Sequence, residues 1–174
     1  MKLTTKICIV GDFAVGKTSV VERFVNNHFS EKYLSTVGVK IDTKEIDLKS
    51  LNLSIKLIIW DVAGADEFGE KEFSYLRGAA GVVYVVDGTR ESTLASVQKI
   101  KTQITQRYDD KPNVLLLNKK DLTDSWQFND GTVQSLHDHF GVVYQTSAKT
   151  GVEVDLALTK LAELIVDRDF QSSK

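Results

Sequence analysis

One cysteine, one proline and three histidines are all that this 174-residue chain holds of those residue types. The lone Cys8 excludes a disulfide framework within the chain, and its place inside an apolar run reads as a small core residue in a reducing compartment. A single proline argues against a linker-rich chain. His28, His137 and His139 have no metal-ligand spacing and read as surface or helix positions. Long hydrophobic runs are also missing. None approaches the roughly 20 residues of a membrane span, and no secretory leader pattern is visible, so the expected location is cytoplasmic. Neither sign of charge dominates. Lys and Arg number 22 against 24 Asp and Glu, a formal net charge of −2. That leaves no electrostatic case for nucleic acid or an anionic membrane. Repeats and low-complexity tracts are absent. The length and ordinary composition fit one domain over residues 1–174 with a proper core, closed by a frayed tail over 169–174.

What is present centres on Lys6 to Ser19. An apolar run, Ile7 to Val10, reads as a buried strand that breaks at Gly11. Asp12, Phe13, Ala14 and Val15 follow, then Gly16, Lys17 and Thr18. This is G-x-x-x-x-G-K-[ST] after a strand and before a helical pattern, the context that the motif requires. Glycine turns let backbone N–H groups converge on an anion, and the next helix adds its positive end. Lys17 is placed to reach β- and γ-phosphates, and the Thr18 hydroxyl to ligate Mg²⁺.

The rest of the chain alternates strands and helices. Val20, Val21 and Phe24 mark a helix from Ser19. An extended segment starts at Val37-Gly38-Val39, turns over Lys49 to Asn52 and returns as Ile55 to Trp60, a hairpin or two antiparallel edge strands. Asp66 to Gly78 is loosely helical, with Phe68, Phe73, Tyr75 and Leu76 expected exposed or half-buried. Gly81 to Asp87 and Asn113 to Asn118 are continuous apolar runs, as strands buried on both faces are. Leu94, Val97, Ile100 and Ile104 make a helical stripe. Val133, Leu136 and Phe140 suggest a shorter helix stopped by Gly141. Val142 to Tyr144 is a last short strand, and Val154, Leu158, Leu161 and Ile165 mark a closing helix. The expected fold is therefore α/β: a single P-loop domain, with a mainly parallel six-stranded sheet, one antiparallel edge strand and helices on both faces. Ligands of such sheets bind at the carboxyl ends of the strands, where Gly11 onward and Asp61 both fall.

Two further groups sit at strand ends. Asp61 closes a buried strand, the position of an acidic residue that holds Mg²⁺. Asn118-Lys119-Lys120-Asp121 and Ser147-Ala148-Lys149 follow the last two strands. A carboxylate at Asp121 can accept from both N1–H and the exocyclic amino group of guanine, a fit adenine does not supply. A backbone N–H near Ala148 is placed to donate to the guanine O6. Trp126 reads as loop packing rather than a base platform.

With these motifs in order, residues 4 to 168 resemble a small GTPase of the Ras superfamily, nearest the Rab branch. Gly11-Asp12, Tyr33 to Val39, Ile59-Trp60-Asp61 and Tyr75-Leu76-Arg77-Gly78-Ala79 carry the Rab likeness. The resemblance implies GTP and GDP with Mg²⁺ as ligands, and hydrolysis of GTP to GDP and phosphate. It implies that Lys17, Thr36 and Gly64 serve the γ-phosphate, and that Thr18, Thr36 and Asp61 hold the metal, Asp61 through water. Phe13, Ala14, Val15, Gly16, Ser19, Phe29 and Tyr33 would line the nucleotide. Asn118, Lys119, Asp121, Leu122, Ser147, Ala148 and Lys149 would form the base pocket. Residues 31–40 would be switch I and 62–77 switch II, presented by a monomer to an effector and open to exchange factors and activating proteins. Val37, Val39, Phe68 and Tyr75 are the first places to look for that surface.

The chain also departs from the family. Ala65 stands where the family carries the glutamine that orients the attacking water, and alanine neither donates nor accepts. Phe13 occupies a position that is small in the family and would crowd the γ-phosphate and an arginine finger. Asp66 and Glu67 are poor substitutes, since a carboxylate beside the γ-phosphate is repelled. The only cysteine lies in the first strand, so no prenyl anchor is expected on the chain as given. Membrane association would then need a partner or a further tail. The expected activity is slow hydrolysis. A GTP-binding module without turnover is the alternative, and an ATP-handling protein is disfavoured by Asn118 to Asp121.

Overall fold

The computed structural model describes residues 2–32, 36–64 and 68–173. The Ile7 to Val10 run lies in strand β1, Lys2–Gly11, which the P-loop joins to helix α1, Lys17–Asn26. Strands β2, Val39–Leu48, and β3, Leu53–Val62, form the hairpin around a 3₁₀ turn, Lys49–Leu51. Then come α2, Glu70–Tyr75; β4, Gly81–Asp87; α3, Ser92–Arg107; and β5, Asn113–Asn118. A 3₁₀ turn, Thr123–Ser125, leads to α4, Asp130–Leu136, β6, Val143–Gln145, and α5, Val154–Ser172.

The strands form one sheet in the order β2-β3-β1-β4-β5-β6. Five run parallel, and β2 pairs antiparallel with β3 at the edge. The expected α/β class and six-strand count hold. The order reverses at β1, so its carboxyl end is a topological switch point, where such sheets open a crevice.

The period-two pleat sorts the core into two layers. Ile7, Ile9, Val83, Val85, Val114 and Leu116 face α1 and α5, packing on Val20, Phe24, Leu158 and Leu161. Their sequence neighbours Cys8, Val10, Tyr84, Leu115 and Leu117 face α2, α3 and α4, packing on Phe73, Val97, Ile104 and Leu136. Cys8 is fully buried, and burial pushes its thiol up to about 12, which makes it a core residue as expected.

Three expectations need correction. Phe73 and Leu76 are buried, not exposed or half-buried. The Phe73 ring is held edge-on by Phe68 at 4.8 Å, and Tyr108 donates its hydroxyl to the Phe73 carbonyl. Helix α4 ends at Leu136, while Phe140 stays in the core beyond it, against the Tyr84 ring at 5.6 Å. The expected frayed tail is helical through Ser172. There the Ser172 and Ser173 hydroxyls cap the carbonyls of Arg168 and Asp169, and Arg168 reaches the Asp110 carbonyl at 2.5 Å. Among the described residues no helix is long and apolar enough to cross a membrane.

Candidate functional site

Beyond the carboxyl ends of β1, β3, β5 and β6 lies a cleft of about 400 Å³. The P-loop and the start of α1 form its floor, from Phe13 and Ala14 through Gly16 to Ser19. Phe29 and Thr36 line one side, Gly64 another, and Asn118, Lys119, Asp121, Leu122, Ala148 and Lys149 the far end. Val15 and Ser147, also expected at the site, are buried beneath the lining. Tyr33, Ala65, Asp66 and Glu67 lie outside the described residues.

The P-loop is held by its carbonyls. Lys17 Nζ donates to the carbonyls of Gly11 and Asp12, at 3.1 and 2.8 Å. Arg90 donates to that of Phe13 at 2.7 Å, Lys119 to that of Ala14 at 2.9 Å, and Asn118 to that of Val15 at 3.1 Å. A trans peptide points its N–H opposite its C=O, so the tethered carbonyls fix the direction of the amides that follow them. Ala14 and Lys119 both adopt the left-handed region, at φ 61° and 70°. That conformation costs a non-glycine residue about 1–2 kcal/mol, and their mutual bond offsets the strain. At Gly16, φ 101°, a Cβ would meet Asn118 Nδ2 at 2.4 Å, so only glycine lets that amide close on the loop.

The Lys17 ammonium is buried against neutral carbonyls. Desolvation pulls it down to about 8, with the charges of Asp61 and Asp12 opposing. A cation held this way is an electrostatic demand for an anion. Beside it, Asp61 is fully buried at the end of β3. Its Oδ2 accepts from the Thr18 hydroxyl at 2.6 Å and from Thr36 at 3.4 Å. The two hydroxyls bond each other at 2.5 Å, and Asp61 Oδ1 has no hydrogen-bond partner among the described residues. Burial raises the Asp61 carboxyl, while Thr18 and Lys17 pull it back. Three hard oxygen ligands and an orphaned carboxylate oxygen fit Mg²⁺, which takes one or two carboxylates and fills its shell with phosphate and water. Among the described residues no cluster of three or more His, Cys, Asp or Glu side chains offers an all-protein metal cage. At Gly64 a Cβ would meet Phe13 N at 2.7 Å, so a side chain there would collide with the P-loop. Phe13 itself stands 52% exposed at the rim.

The far end is cross-braced. Buried Asn118 accepts at Oδ1 from the Thr146 hydroxyl at 3.1 Å and the Ala148 amide at 3.3 Å. The Ala148 N–H, one of the backbone donors near the position expected to face a ligand, is thus engaged by Asn118. Asp121 Oδ1 accepts from the Ser147 hydroxyl at 2.7 Å, and that hydroxyl accepts from the Thr150 amide. Trp126 is half-buried beside Phe128 and under Lys120, loop packing as expected.

Sequence reasoning missed several supports. Asp87 accepts from Thr89, Arg90 and Lys119, so it carries two of the three cations that tether the P-loop. Burial alone raises its carboxyl, but those donors outweigh it and hold it below its ordinary range. The signal was available, since Asp87 ends a buried strand as Asp61 does. Arg23 and Glu31 gave no signal; each looks like a solvated face until the fold brings the 147–151 loop beside it. The Lys149 ammonium pairs with Glu31 at 3.3 Å across the cleft mouth. On the expected partner face Val37 is 92% exposed, but Val39, Phe68 and Tyr75 are half-buried against the core.

The sequence profile of the Ras family matches residues 6–167. The chain is 36% identical to the Ras-related protein RABD2a of Arabidopsis thaliana over 167 residues, covering 94% of this chain and 80% of that protein. It is 34% identical to the Ras-related protein Rab-8B of Dictyostelium discoideum over 165 residues, with the same two coverages. The GTP-binding protein YPTM2 of Zea mays shares 36% identity over 167 residues, again 94% of this chain and 80% of that protein.

Proposed function

The chain belongs to the Ras family and is Rab-like along most of its length, and from that premise we propose a guanine-nucleotide switch with an impaired hydrolytic step. The observation that carries this reading is the meeting, in one cleft, of a desolvated Lys17, the oxygen cluster of Thr18, Thr36 and Asp61, and the Asn118-to-Asp121 end. Lys17 and the P-loop amides bind the β- and γ-phosphates. Thr18, Thr36 and Asp61 hold Mg²⁺. When bound, that ion neutralises charge on the β- and γ-oxygens. Gly64 brings its N–H to the γ-phosphate. Asp121 accepts from the guanine edge, Phe29 covers the base, and Asn118 and Lys119 join the base pocket to the phosphate loop.

Presence of a γ-phosphate would engage Thr36 and Gly64, one in each switch, and so present the exposed Val37 and its half-buried neighbours to an effector. The family activity is GTP hydrolysis. In this chain the residue after Gly64 is Ala65, which has no group to orient water. Phe13 adds bulk at the rim, where an activating protein would insert an arginine. Both features favour slow turnover, with release set by nucleotide exchange. A GTP-binding module with negligible turnover is the second reading, and the same two residues favour it. The protein is expected to act as a cytoplasmic monomer, with any membrane association supplied by a partner or further tail.

Competition for the cleft tests the binding claim. Fluorescent GDP loaded on the protein with Mg²⁺ should be displaced by GDP or GTP and resist ADP and ATP at 100-fold excess. Equal displacement by ADP would contradict the base assignment.

A further inference from the structure

Arg23 belongs to none of the motifs above. Its guanidinium leaves α1 toward the 147–151 loop. Nε donates to the Ala148 carbonyl at 2.8 Å, and a terminal nitrogen to the Lys149 carbonyl at 2.6 Å. The other terminal nitrogen holds the carbonyl and Oδ1 of Asn27, the cap of the same helix, at 3.2 and 3.1 Å. One planar fork thus fixes two consecutive loop peptides to the helix that starts at the phosphate loop. Guanidinium presents its donors in a rigid geometry that an ammonium does not reproduce.

Because the peptide is trans, drawing the Ala148 carbonyl toward Arg23 turns the Lys149 amide away from it. Ala148 and Lys149 line the cleft, and Arg23 does not. The Ala148 amide is engaged by Asn118, and no hydrogen bond among the described residues engages the Lys149 amide. We propose that Arg23 is a positioning residue for base recognition: it fixes residues 148 and 149 so that the Lys149 amide donates to the 6-oxo group of guanine. Adenine carries an amino donor at that carbon and is refused there. This proposal rests on the guanine-nucleotide reading of the same cleft.

The test compares release of three diphosphates from wild type, Arg23→Gln and Arg23→Lys. GDP has both the 6-oxo and 2-amino groups, 6-thio-GDP replaces the oxo group with a weak sulfur acceptor, and IDP lacks the 2-amino group. Loss of one well-aligned hydrogen bond should speed GDP release from Arg23→Gln by about tenfold. The preference for GDP over 6-thio-GDP should collapse, while the preference over IDP, read by Asp121, stays. Arg23→Lys should restore part of the lost preference. Acceleration of all three ligands by one common factor would reduce Arg23 to a general brace and overturn the proposal, as would unchanged GDP release. A wild-type chain that holds GDP no better than ADP overturns the guanine reading itself, and with it the proposal.

Discussion

The Asn118 end of the cleft, proposed to hold the base, and the Lys17 end, proposed to hold the γ-phosphate, differ in how fully the protein satisfies its own polar groups. At the base end Asn118 bonds Val15, Thr146 and Ala148, Asp121 bonds Ser147, and Arg23 bonds two loop carbonyls. At the other end Asp61 Oδ1 is buried without a partner among the described residues, and Lys17 is desolvated against neutral carbonyls. A satisfied network is rigid and selective before any ligand arrives. An unsatisfied one waits for charge from outside. On the proposed reading, structure is invested in choosing a base, and the reacting end is left for nucleotide and metal to complete. The proposed slow turnover adds that Ala65 has no side-chain group to order water there.

The largest expected effect breaks the base end. Asp121→Asn exchanges an acceptor pair for a donor and an acceptor, and should weaken GDP by on the order of 100-fold while admitting xanthosine diphosphate. Competition with the two diphosphates checks it, and unchanged GDP affinity would remove Asp121 from the pocket. Next is the metal. Asp61→Asn keeps the shape but removes the charge, and should cost GTP about 30-fold in affinity measured with Mg²⁺. With the metal chelated, the variant and wild type should bind alike. A deficit that survives chelation would show that Asp61 serves folding rather than the ion.

Smaller is the kinetic repair. Ala65→Gln should raise single-turnover hydrolysis by about tenfold if a missing water orienter is limiting. No gain in that variant, followed by a gain in Phe13→Gly, would place the obstruction at the rim. The smallest effect is electrostatic. The folded chain holds Lys17 near 8, below the ordinary 10.5, so above pH 8 the unfolded chain binds the extra proton and stability rises with pH. Cys8 works oppositely: its thiol, held near 12 against an ordinary 9.0, makes stability fall above pH 9. Denaturant titration of the nucleotide-free protein should therefore show a gain from pH 8 to 9 that flattens beyond. Bound nucleotide should erase the gain by giving Lys17 an anion. A gain that persists with nucleotide bound would point to another group.

Much of this was legible because β1, β4 and β5 are continuous apolar runs ending in Gly11, Asp87 and Asn118, and because the phosphate motif has fixed spacing. The ends of elements were less legible. Helix α5 continues past Asp169 on hydrogen bonds from Ser172, Ser173 and Arg168 that no hydrophobic stripe announces. The burial of Phe73 and Leu76 was less legible because the segment around them is polar, and they join a core cluster with Val97 and Ile100, more than 20 positions further along the chain. The site's ligands follow motifs, whereas its supports do not. Arg23 acts on residues 125 and 126 positions away, and only the fold reveals that distance to be short.

On the proposed reading, nucleotide choice is built into the chain while turnover is not. The most direct test of that reading is single-turnover hydrolysis of GTP loaded on the purified protein with Mg²⁺, read alongside GDP release. The account predicts firm retention of guanine nucleotide with hydrolysis well below about 10⁻⁴ s⁻¹, the order of unassisted turnover in a water-positioning relative. Hydrolysis at or above that pace would contradict it and mean that another group orders the attacking water.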